Sequence, residues 1–315
     1  MDVFTMPVRI SQMKFEVTIL GCGAATPTLK RNPTSQLINI HDKYMLVDCS
    51  EGTQLQLRKQ KFKFQRINHI FISHLHGDHY LGLPGLVSSM NLLGRTKELH
   101  IYCPAPLQEL LELNLKHSDT FLNFEIIYHH NDFKEPQMVF EDKGLEVWSF
   151  PLKHRIPCTG FKFLEKPKRR RLSKEMIIAK ELSVPEIVAL KNGEDVVRED
   201  ESTITAAATT LEPCPSRMYA YCSDTAYLEK LVPVIEGATL LYHEATFLES
   251  HAERAKKTFH STAKQAATIA KMANAEKLVL GHYSSRYRDV VDFKTEAVEI
   301  FKNVYLAHDG ITFEL

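Results

Sequence analysis

The chain lacks several features that would place it in familiar classes of protein. No apolar run in its 315 residues approaches the roughly 20 needed to span a bilayer, and no basic segment followed by an apolar core marks a secretion signal. Its six cysteines form no C-x-x-C pair, so we expect reduced thiols in a cytoplasmic protein. A formal net charge of +0 argues against a protein that coats nucleic acid indiscriminately, although a local basic patch suffices for a selective contact.

The composition is that of a globular protein with a sizeable core. Apolar residues make up 44% and charged residues 25% of the chain, and its length suits one large domain. Strand-like runs are expected at 15–20, 36–40, 44–48, 69–73, 99–103, 145–150, 217–222, 239–243 and 277–280. Helical patterns are expected at 54–59, 83–93, 262–272 and 293–301. The mixture predicts an α/β fold, preceded by an arm of about a dozen residues without a catalytic role.

The most informative stretch contains four metal-ligand side chains within six residues. His74, His76, Asp78 and His79 follow the apolar run 70–72, at the mouth of a buried strand. Neutral imidazole nitrogens and carboxylate oxygens suit zinc, and this spacing provides enough ligands for two neighbouring ions. A chance cluster of loop histidines is the alternative, and the regular spacing disfavours it.

Further ligands must arrive from distant parts of the chain. His154, Asp224 and His282 each follow an apolar strand-like segment. Ligands of open α/β sheets gather at the carboxyl ends of strands, so we expect these three side chains to complete the metal site. Any one of them alone would more often be an ordinary polar strand end.

These motifs resemble a known family. The segment HLHGDH with the three later ligands is similar to the metallo-β-lactamase superfamily. Other segments resemble the short form of ribonuclease Z, the tRNA 3′-processing endonuclease, over nearly the whole chain. These more selective segments are LGCGAATP (20–27), NPTS (32–35), LVDCSEGTQ (46–54), HEATF (243–247), HSTA (260–263) and HYSSRY (282–287).

The resemblance implies a fold and an activity. The fold would be a four-layer αββα sandwich, forming a single catalytic domain over 1–315 with a protruding tRNA-binding exosite arm at about 164–205. The enzyme would be a zinc-dependent endoribonuclease that cuts precursor tRNA after the discriminator base. It would leave a 3′-hydroxyl on the tRNA and a 5′-phosphate on the trailer. The family also implies a homodimer, with no membrane partner.

The same resemblance assigns the ligands to two zinc ions per subunit. His74, His76 and His154 would hold one ion. The other would take Asp78, His79 and His282, and Asp224 would bridge the pair. Two such ions can activate a water molecule and neutralise the charge of a phosphodiester.

Three further residues would take part in the chemistry. Asp78 is the candidate general base, because one of its carboxylate oxygens can accept a proton from water. His260 is the candidate general acid, with Glu244 holding its orientation and charge. Arg286 lies where the family binds substrate phosphate, and a guanidinium matches phosphate geometry well.

Two basic segments have open interpretations. A basic block at 166–174 contains no acidic residue, and acidic residues follow it in the chain. Its cations include Lys168, Arg169, Arg170 and Arg171. We expect this block to bind RNA within the arm; the alternative is a solvated surface insertion. The basic and aromatic run at 58–66 is equally consistent with an acceptor-stem contact and a solvated helix end.

Two other functions stay open. A hydrolase of small phosphodiesters or lactones from the same superfamily would not need the basic block at 166–174. A metal-stabilised RNA-binding scaffold without turnover would not need the complete set of ligands, Asp78 and Asp224 included.

Overall fold

A computed structural model describes residues 13–131 and 133–315 of the chain. The expected N-terminal arm lies outside these residues. The described chain forms two compact units. The first takes 13–139, Val147–Phe163 and Met218–Leu315, and the second takes Phe140–Glu146 and Leu164–Arg217.

Sixteen strands are found in the described residues, and all nine expected strand-like runs overlap strands among them. They are β1 (Phe15–Gly21), β2 (Ser35–Ile40), β3 (Lys43–Val47), β4 (Ile67–Phe71), β5 (Leu99–Cys103), β6 (Ile126–His130), β7 (Gln137–Glu141), β8 (Leu145–Leu152), β9 (Cys158–Glu165), β10 (Val196–Val197), β11 (Thr203–Ile204), β12 (Met218–Cys222), β13 (Leu240–Glu244), β14 (Leu278–Gly281), β15 (Val304–Leu306) and β16 (Thr312–Glu314).

Eleven α-helices accompany these strands in the same part of the chain. They are α1 (Thr53–Lys59), α2 (Gly77–Tyr80), α3 (Leu83–Leu92), α4 (Pro106–His117), α5 (Lys174–Ala179), α6 (Val184–Asn192), α7 (Ala206–Thr209), α8 (Val232–Ile235), α9 (Ala252–Thr258), α10 (Ala263–Met272) and α11 (Val291–Val298). No helix among the described residues has the length and apolar character needed to cross a membrane.

Two seven-stranded sheets organise the fold. The first has the order β16-β1-β2-β3-β4-β5-β6, and the second has the order β15-β14-β13-β12-β9-β8-β7. In the first sheet the strands from β3 to β6 run parallel, and in the second those from β12 to β15 do. The carboxyl ends of parallel strands meet at one edge of a sheet, so the loops after them come together there.

Aromatic side chains fill the space between the sheets. The Phe71 ring of β4 meets the rings of Phe161 and Phe163 of β9, with centroids 5.4 Å away in each case. Phe163 in turn stacks near Tyr219 of β12, whose hydroxyl donates to Gln36 of β2. These buried contacts join the inner faces of the two sheets into one core.

Helices cover the outer faces. Leu57 of α1, Leu86 of α3 and Leu107 of α4 pack in one buried cluster with Ile70 and Ile101 of the first sheet. On the other side, α10 packs against β13 and β14, and α11 against β15. Burying these apolar helix faces is the main source of stability for such layers. The expected αββα sandwich is confirmed.

The second compact unit has a small core of its own. Leu182, Leu190, Ile204 and Ala206 are buried together, with partly buried neighbours such as Ile187. Helix α5 of this unit ends at Ala179. Helix α6 then begins at Val184, where Ser183 and Glu186 form a capping box. The Glu186 carboxylate accepts from the Ser183 N–H and from the Ser183 hydroxyl, both at 2.6 Å.

Candidate metal centre and catalytic pocket

The HLHGDH segment forms a turn that is fixed by the neighbouring loop. His74 and His76 lie in the stretch after β4, and Asp78 and His79 lie in the short helix α2. The Cys49 backbone N–H donates to the His79 carbonyl at 2.8 Å. Gly82 allows this approach, because a Cβ atom there would lie 2.0 Å from the Ser50 carbonyl oxygen. The turn is therefore held against the loop after β3.

Three imidazoles converge in a first cluster. The Nδ1 atom of His76 lies 3.0 Å from His74 Nε2 and 3.1 Å from His154 Nε2. The Nδ1 atom of His154 lies 3.0 Å from the Phe259 carbonyl oxygen, so the Nδ1–H group donates to that oxygen. The lone pair of His154 Nε2 is then free to bind a metal ion. Nitrogens that share one tetrahedral zinc lie roughly 3.3 Å apart, given Zn–N bonds of about 2.0–2.1 Å.

Asp224 divides its two carboxylate oxygens between this cluster and a second one. Its Oδ2 lies 3.6 Å from His74 Nε2 and 3.7 Å from His154 Nε2. Its Oδ1 lies 3.1 Å from His282 Nε2 and 3.4 Å from His79 Nε2. A carboxylate in this position can bridge two ions.

The second cluster adds Asp78. Its Oδ2 lies 3.6 Å from both His79 Nε2 and His282 Nε2, and it accepts a hydrogen bond from the Ala25 N–H at 2.7 Å. His282 Nδ1 lies 2.8 Å from Thr246 Oγ1, which leaves Nε2 facing the cluster. The structure thus brings together all seven residues predicted as metal ligands.

The residues present fit metal ions. The Nε2 atoms of His79 and His282 and the Oδ1 atom of Asp224 are buried without a hydrogen-bond partner among the described residues. A buried polar atom without a partner is costly, and a bound cation would satisfy all three. The chemistry of these clusters is therefore that of a metal site.

The protonation of the first cluster suits metal binding. Burial lowers the pKa of His74 well below its usual range, and the imidazole of His79 lowers it further. Burial also lowers the pKa values of His76 and His154. All three imidazoles are therefore neutral near pH 7, which is the form that coordinates a metal.

Asp48 is a functional residue that the sequence reasoning missed. This fully buried carboxylate accepts from the Ser73 N–H at 2.8 Å, the Ser73 hydroxyl at 3.0 Å and the Tyr221 hydroxyl at 2.7 Å. It also lies 2.7 Å from His79 Nδ1, so it fixes the tautomer in which Nε2 is free to bind metal. Its position at the end of an apolar strand is the signal that identified Asp224.

Two of these residues have unusual backbone conformations. Asp48 has φ 54° and His282 has φ 59°, both in the left-handed region. Non-glycine residues are uncommon there and persist where the surrounding contacts hold them. The strained backbone at both residues lies beside the metal clusters, where it fixes the direction of each side chain.

Glu244 and His260 form a buried pair at the wall of the site. Glu244 Oε1 lies 2.8 Å from His260 Nδ1 and accepts from the N–H groups of Thr225 and Ser261, both at 3.1 Å. Its Oε2 accepts from the Thr246 N–H at 2.9 Å and hydroxyl at 2.7 Å. One carboxylate therefore joins the loops after β12 and β13 to the segment before α10.

The pair has a marked effect on protonation. Burial acts to lower the pKa of His260, but the Glu244 carboxylate, together with the charges of Asp224 and Asp78, raises it to about 9. His260 is therefore protonated near neutral pH. Helix α10 begins just after it, with Thr262 as the N-cap in a capping box with Gln265.

The clusters open into a cavity of about 800 Å³. Arg286 lines it, with its guanidinium 5.4 Å from the centre of the Phe247 ring. Three other cations on its wall were not anticipated: Arg155, Arg254 and Lys257. Arg155 lies 3.0 Å from His76 Nε2.

The basic block lies in the second compact unit, and three of its six cations form ion pairs there, Lys166 with Glu141 among them. Lys168 is 3.0 Å from Glu165, and Arg170 is 2.6 Å from Glu212. Arg171 donates to the Glu212 carbonyl at 3.4 Å. Arg169 is exposed.

The basic run at 58–66 lies away from the metal clusters. Its residues Lys61, Lys63 and Arg66 line a pocket of about 250 Å³ with Tyr44 and Ile67, which lie near the starts of β3 and β4. The clusters follow the other ends of these parallel strands. A contact made here would therefore be remote from the reacting bond.

Curated relatives match the chain over nearly its full length. A protein of Bacteroides fragilis named Ribonuclease Z is 46% identical over 302 residues, covering 96% of this chain and 99% of that protein. Residues 15–181, just over half of the chain, match the family model described as Anti-Pycsar protein Apyc1.

Solved structures agree on the fold. The short form of human tRNase Z aligns with a TM-score of 0.68 and 28% identity, covering 95% of this chain and 98% of that one. The metallo-β-lactamase fold protein YhfI of Bacillus subtilis aligns with a TM-score of 0.68 and 19% identity, covering 96% of this chain and 100% of that one. The expected fold family is confirmed by these likenesses.

Proposed function

Because this chain belongs to the ribonuclease Z family, and over residues 15–181 to the family described as Anti-Pycsar protein Apyc1, we propose that it is an endoribonuclease that removes 3′ trailers from precursor tRNA. The cut falls after the discriminator base. It leaves a 3′-hydroxyl on the tRNA and a 5′-phosphate on the trailer.

One observation carries this proposal beyond the family name. Two histidine–carboxylate clusters share Asp224, and the Glu244–His260 pair lies beside them in the same cavity. Paired metal sites with a protonated group near them suit hydrolysis of a phosphodiester, where a water attacks on one side and an alkoxide leaves on the other.

Two Zn²⁺ ions per subunit are the cofactors that we propose. His74, His76 and His154 would hold one, Asp78, His79 and His282 the other, and Asp224 both. Nitrogen and carboxylate ligands in groups of three or four suit zinc. When bound, such ions lower the pKa of water to near 7 and neutralise phosphate charge.

The protein residues supply the proton transfers. Asp78 uses Oδ2 toward the second cluster, while its Oδ1 accepts no hydrogen bond among the described residues and is placed to take the proton of the attacking water. His260 holds its Nδ1 against Glu244, so Nε2 donates a proton to O3′ as the bond between phosphorus and O3′ breaks. The phosphate stays on the trailer, and the tRNA keeps the hydroxyl.

RNA binding is assigned to two groups of cations. Arg286 would hold a phosphate inside the cavity, supported by its position on the cavity wall. Lys168, Arg169, Arg170 and Arg171 would contact tRNA outside it, as an exosite within the insert at about 164–205. Arg169 is the most exposed of these four and is the first to test.

The assembly and location are also proposals. A homodimer rests on the resemblance of the motifs, and light scattering of the purified protein tests it. A cytoplasmic location is supported by six cysteines that form no disulfide, as expected in a reducing compartment.

The first experiment is cleavage of a precursor tRNA with a 3′ trailer by zinc-loaded protein, with the cut and both end groups mapped. Asp78→Ala is run beside it, and bis(p-nitrophenyl) phosphate serves as a small substrate. A single cut after the discriminator base that is lost in the variant supports the proposal.

Two results would contradict it. Loaded protein that binds the RNA without cutting it would indicate a scaffold. Protein that hydrolyses only the small diester would indicate an enzyme of small phosphodiesters.

A further inference from the structure

Helix α9 presents two cations to the cavity of the metal clusters. Arg254, Lys257 and Thr258 line that cavity, and their spacing of three and four residues places them on one face of the helix. Arg254 and Lys257 are exposed. Within the described residues, neither side chain has an ion pair, so both charges are available to a ligand.

The backbone connects this face directly to the proposed general acid. Helix α9 ends at Thr258, the chain reverses at Phe259 with φ 58°, and the His260 N–H donates to the Ala255 carbonyl at 2.9 Å. Arg254 and Lys257 are separated by about 4.5 Å along the helix axis. The two cations thus form a short row that leads toward His260.

The direction of the reaction decides which part of the RNA meets this row. In the proposed function, His260 gives its proton to O3′, and O3′ stays on the mature tRNA. The nucleotide that carries O3′ must then lie within hydrogen-bond reach of His260. Helix α9 is joined to His260 by a single residue and lines the same cavity, so it is the nearest wall that could support the backbone leading to that nucleotide.

We propose that Arg254 and Lys257 bind backbone phosphates on the 5′ side of the scissile bond. They hold the 3′ end of the tRNA itself, and they make no contact with the trailer. This inference rests on the proposed function. It adds the polarity of the bound strand, which neither the motifs nor the family name supplies.

The test measures inhibition of precursor cleavage by each product separately. One inhibitor is mature tRNA that ends in a 3′-hydroxyl at the discriminator base, and the other is trailer RNA with a 5′-phosphate. The variants are Arg254→Gln, Lys257→Gln and the double variant, compared at equal metal content. Lys256→Gln is the matched control, because Lys256 lies exposed on the same helix turn but does not line the cavity.

Each substitution should raise the inhibition constant of mature tRNA roughly threefold at low salt. The slope of log Ki against log salt should fall by about 0.7 for each cation removed, as expected for contacts with a single strand. The inhibition constant of the trailer RNA should be the same for the Arg254 and Lys257 variants as for the Lys256→Gln control.

Two outcomes overturn the inference. One is a mature-tRNA inhibition constant that is the same in the double variant and in Lys256→Gln. The other is an increase seen with the trailer and absent with mature tRNA, which would reverse the polarity of the strand. A wild-type protein that does not cut precursor tRNA would overturn the proposed function itself, and that failure is visible before any variant is compared.

Discussion

Replacing Asp48 by asparagine is expected to weaken metal binding while the protein stays folded. The Ser73 N–H needs an acceptor, so the amide oxygen of the new side chain takes the place of Oδ1. Its NH₂ group then faces His79 Nδ1, where the carboxylate oxygen now lies 2.7 Å away. A donor in that position favours the tautomer with the proton on Nε2, and that proton occupies the lone pair needed for metal.

The size of the effect follows from the role of Asp48. Loss of a group that orients a metal ligand lowers metal affinity about 10–100-fold, which corresponds to roughly 1.4–2.7 kcal/mol. The loss should be greater for the cluster of Asp78, His79 and His282 than for that of His74, His76 and His154, because Asp48 contacts only His79 among these ligands.

The assay is the zinc content of each variant after equilibration with a graded series of chelator concentrations. Tyr219→Phe is the control for a buried hydrogen bond, because its hydroxyl donates to Gln36 and does not contact Asp48. It should lose about 1 kcal/mol of stability and keep its metal affinity. If folded Asp48→Asn retains both ions as tightly as the wild type, the reasoning about the His79 tautomer is wrong.

Three other substitutions test the remaining roles. Asp224→Ala should abolish cleavage and reduce zinc content, because one carboxylate serves both clusters; full zinc content would contradict the bridging role. His260→Ala should keep both ions but slow cleavage about 10²–10⁴-fold, and loss of metal would refute its role as the acid. Glu244→Gln removes the charge that raises the pKa of His260 to about 9. The fall in cleavage rate at alkaline pH should then move to lower pH. An unchanged pH profile would mean that deprotonation of His260 does not cause this fall.

Sequence reasoning worked best where a polar residue ends an apolar strand. His154, Asp224 and His282 were each found in this way, and the structure places all of them in the two clusters. Asp48 offered the same signal, within the motif LVDCSEGTQ. It is not one of the predicted metal ligands, however, but a hydrogen-bond partner of the predicted ligand His79. Its role depends on the distance to His79, and spacing along the chain does not give that distance.

Ion pairs were the hardest feature to anticipate. Lys168 and Arg170 looked free because no acidic residue lies within their block, yet Glu165 and Glu212 neutralise them in the structure. Glu212 is 42 residues from Arg170, so no local pattern of charge reveals the pairing. Strand β9 was missed for another reason. It contains Gly160 and a charged Lys162, and both interrupt a strand-like pattern.

The strand order of the first sheet has a consequence for how the protein folds. Strand β16 pairs with β1, with Thr312 opposite Thr18, so the edge of this sheet is completed by a strand that lies 294 residues further along the chain. Closing a loop of that length carries an entropic cost of roughly 5 kcal/mol, and contacts so distant in sequence form late during folding. Until they form, β1 exposes an unpaired edge that can join another strand. A chain in which β16 has not yet paired is therefore expected to be more prone to aggregation at this edge than the folded protein, in which Thr18 and Thr312 also share a side-chain hydrogen bond.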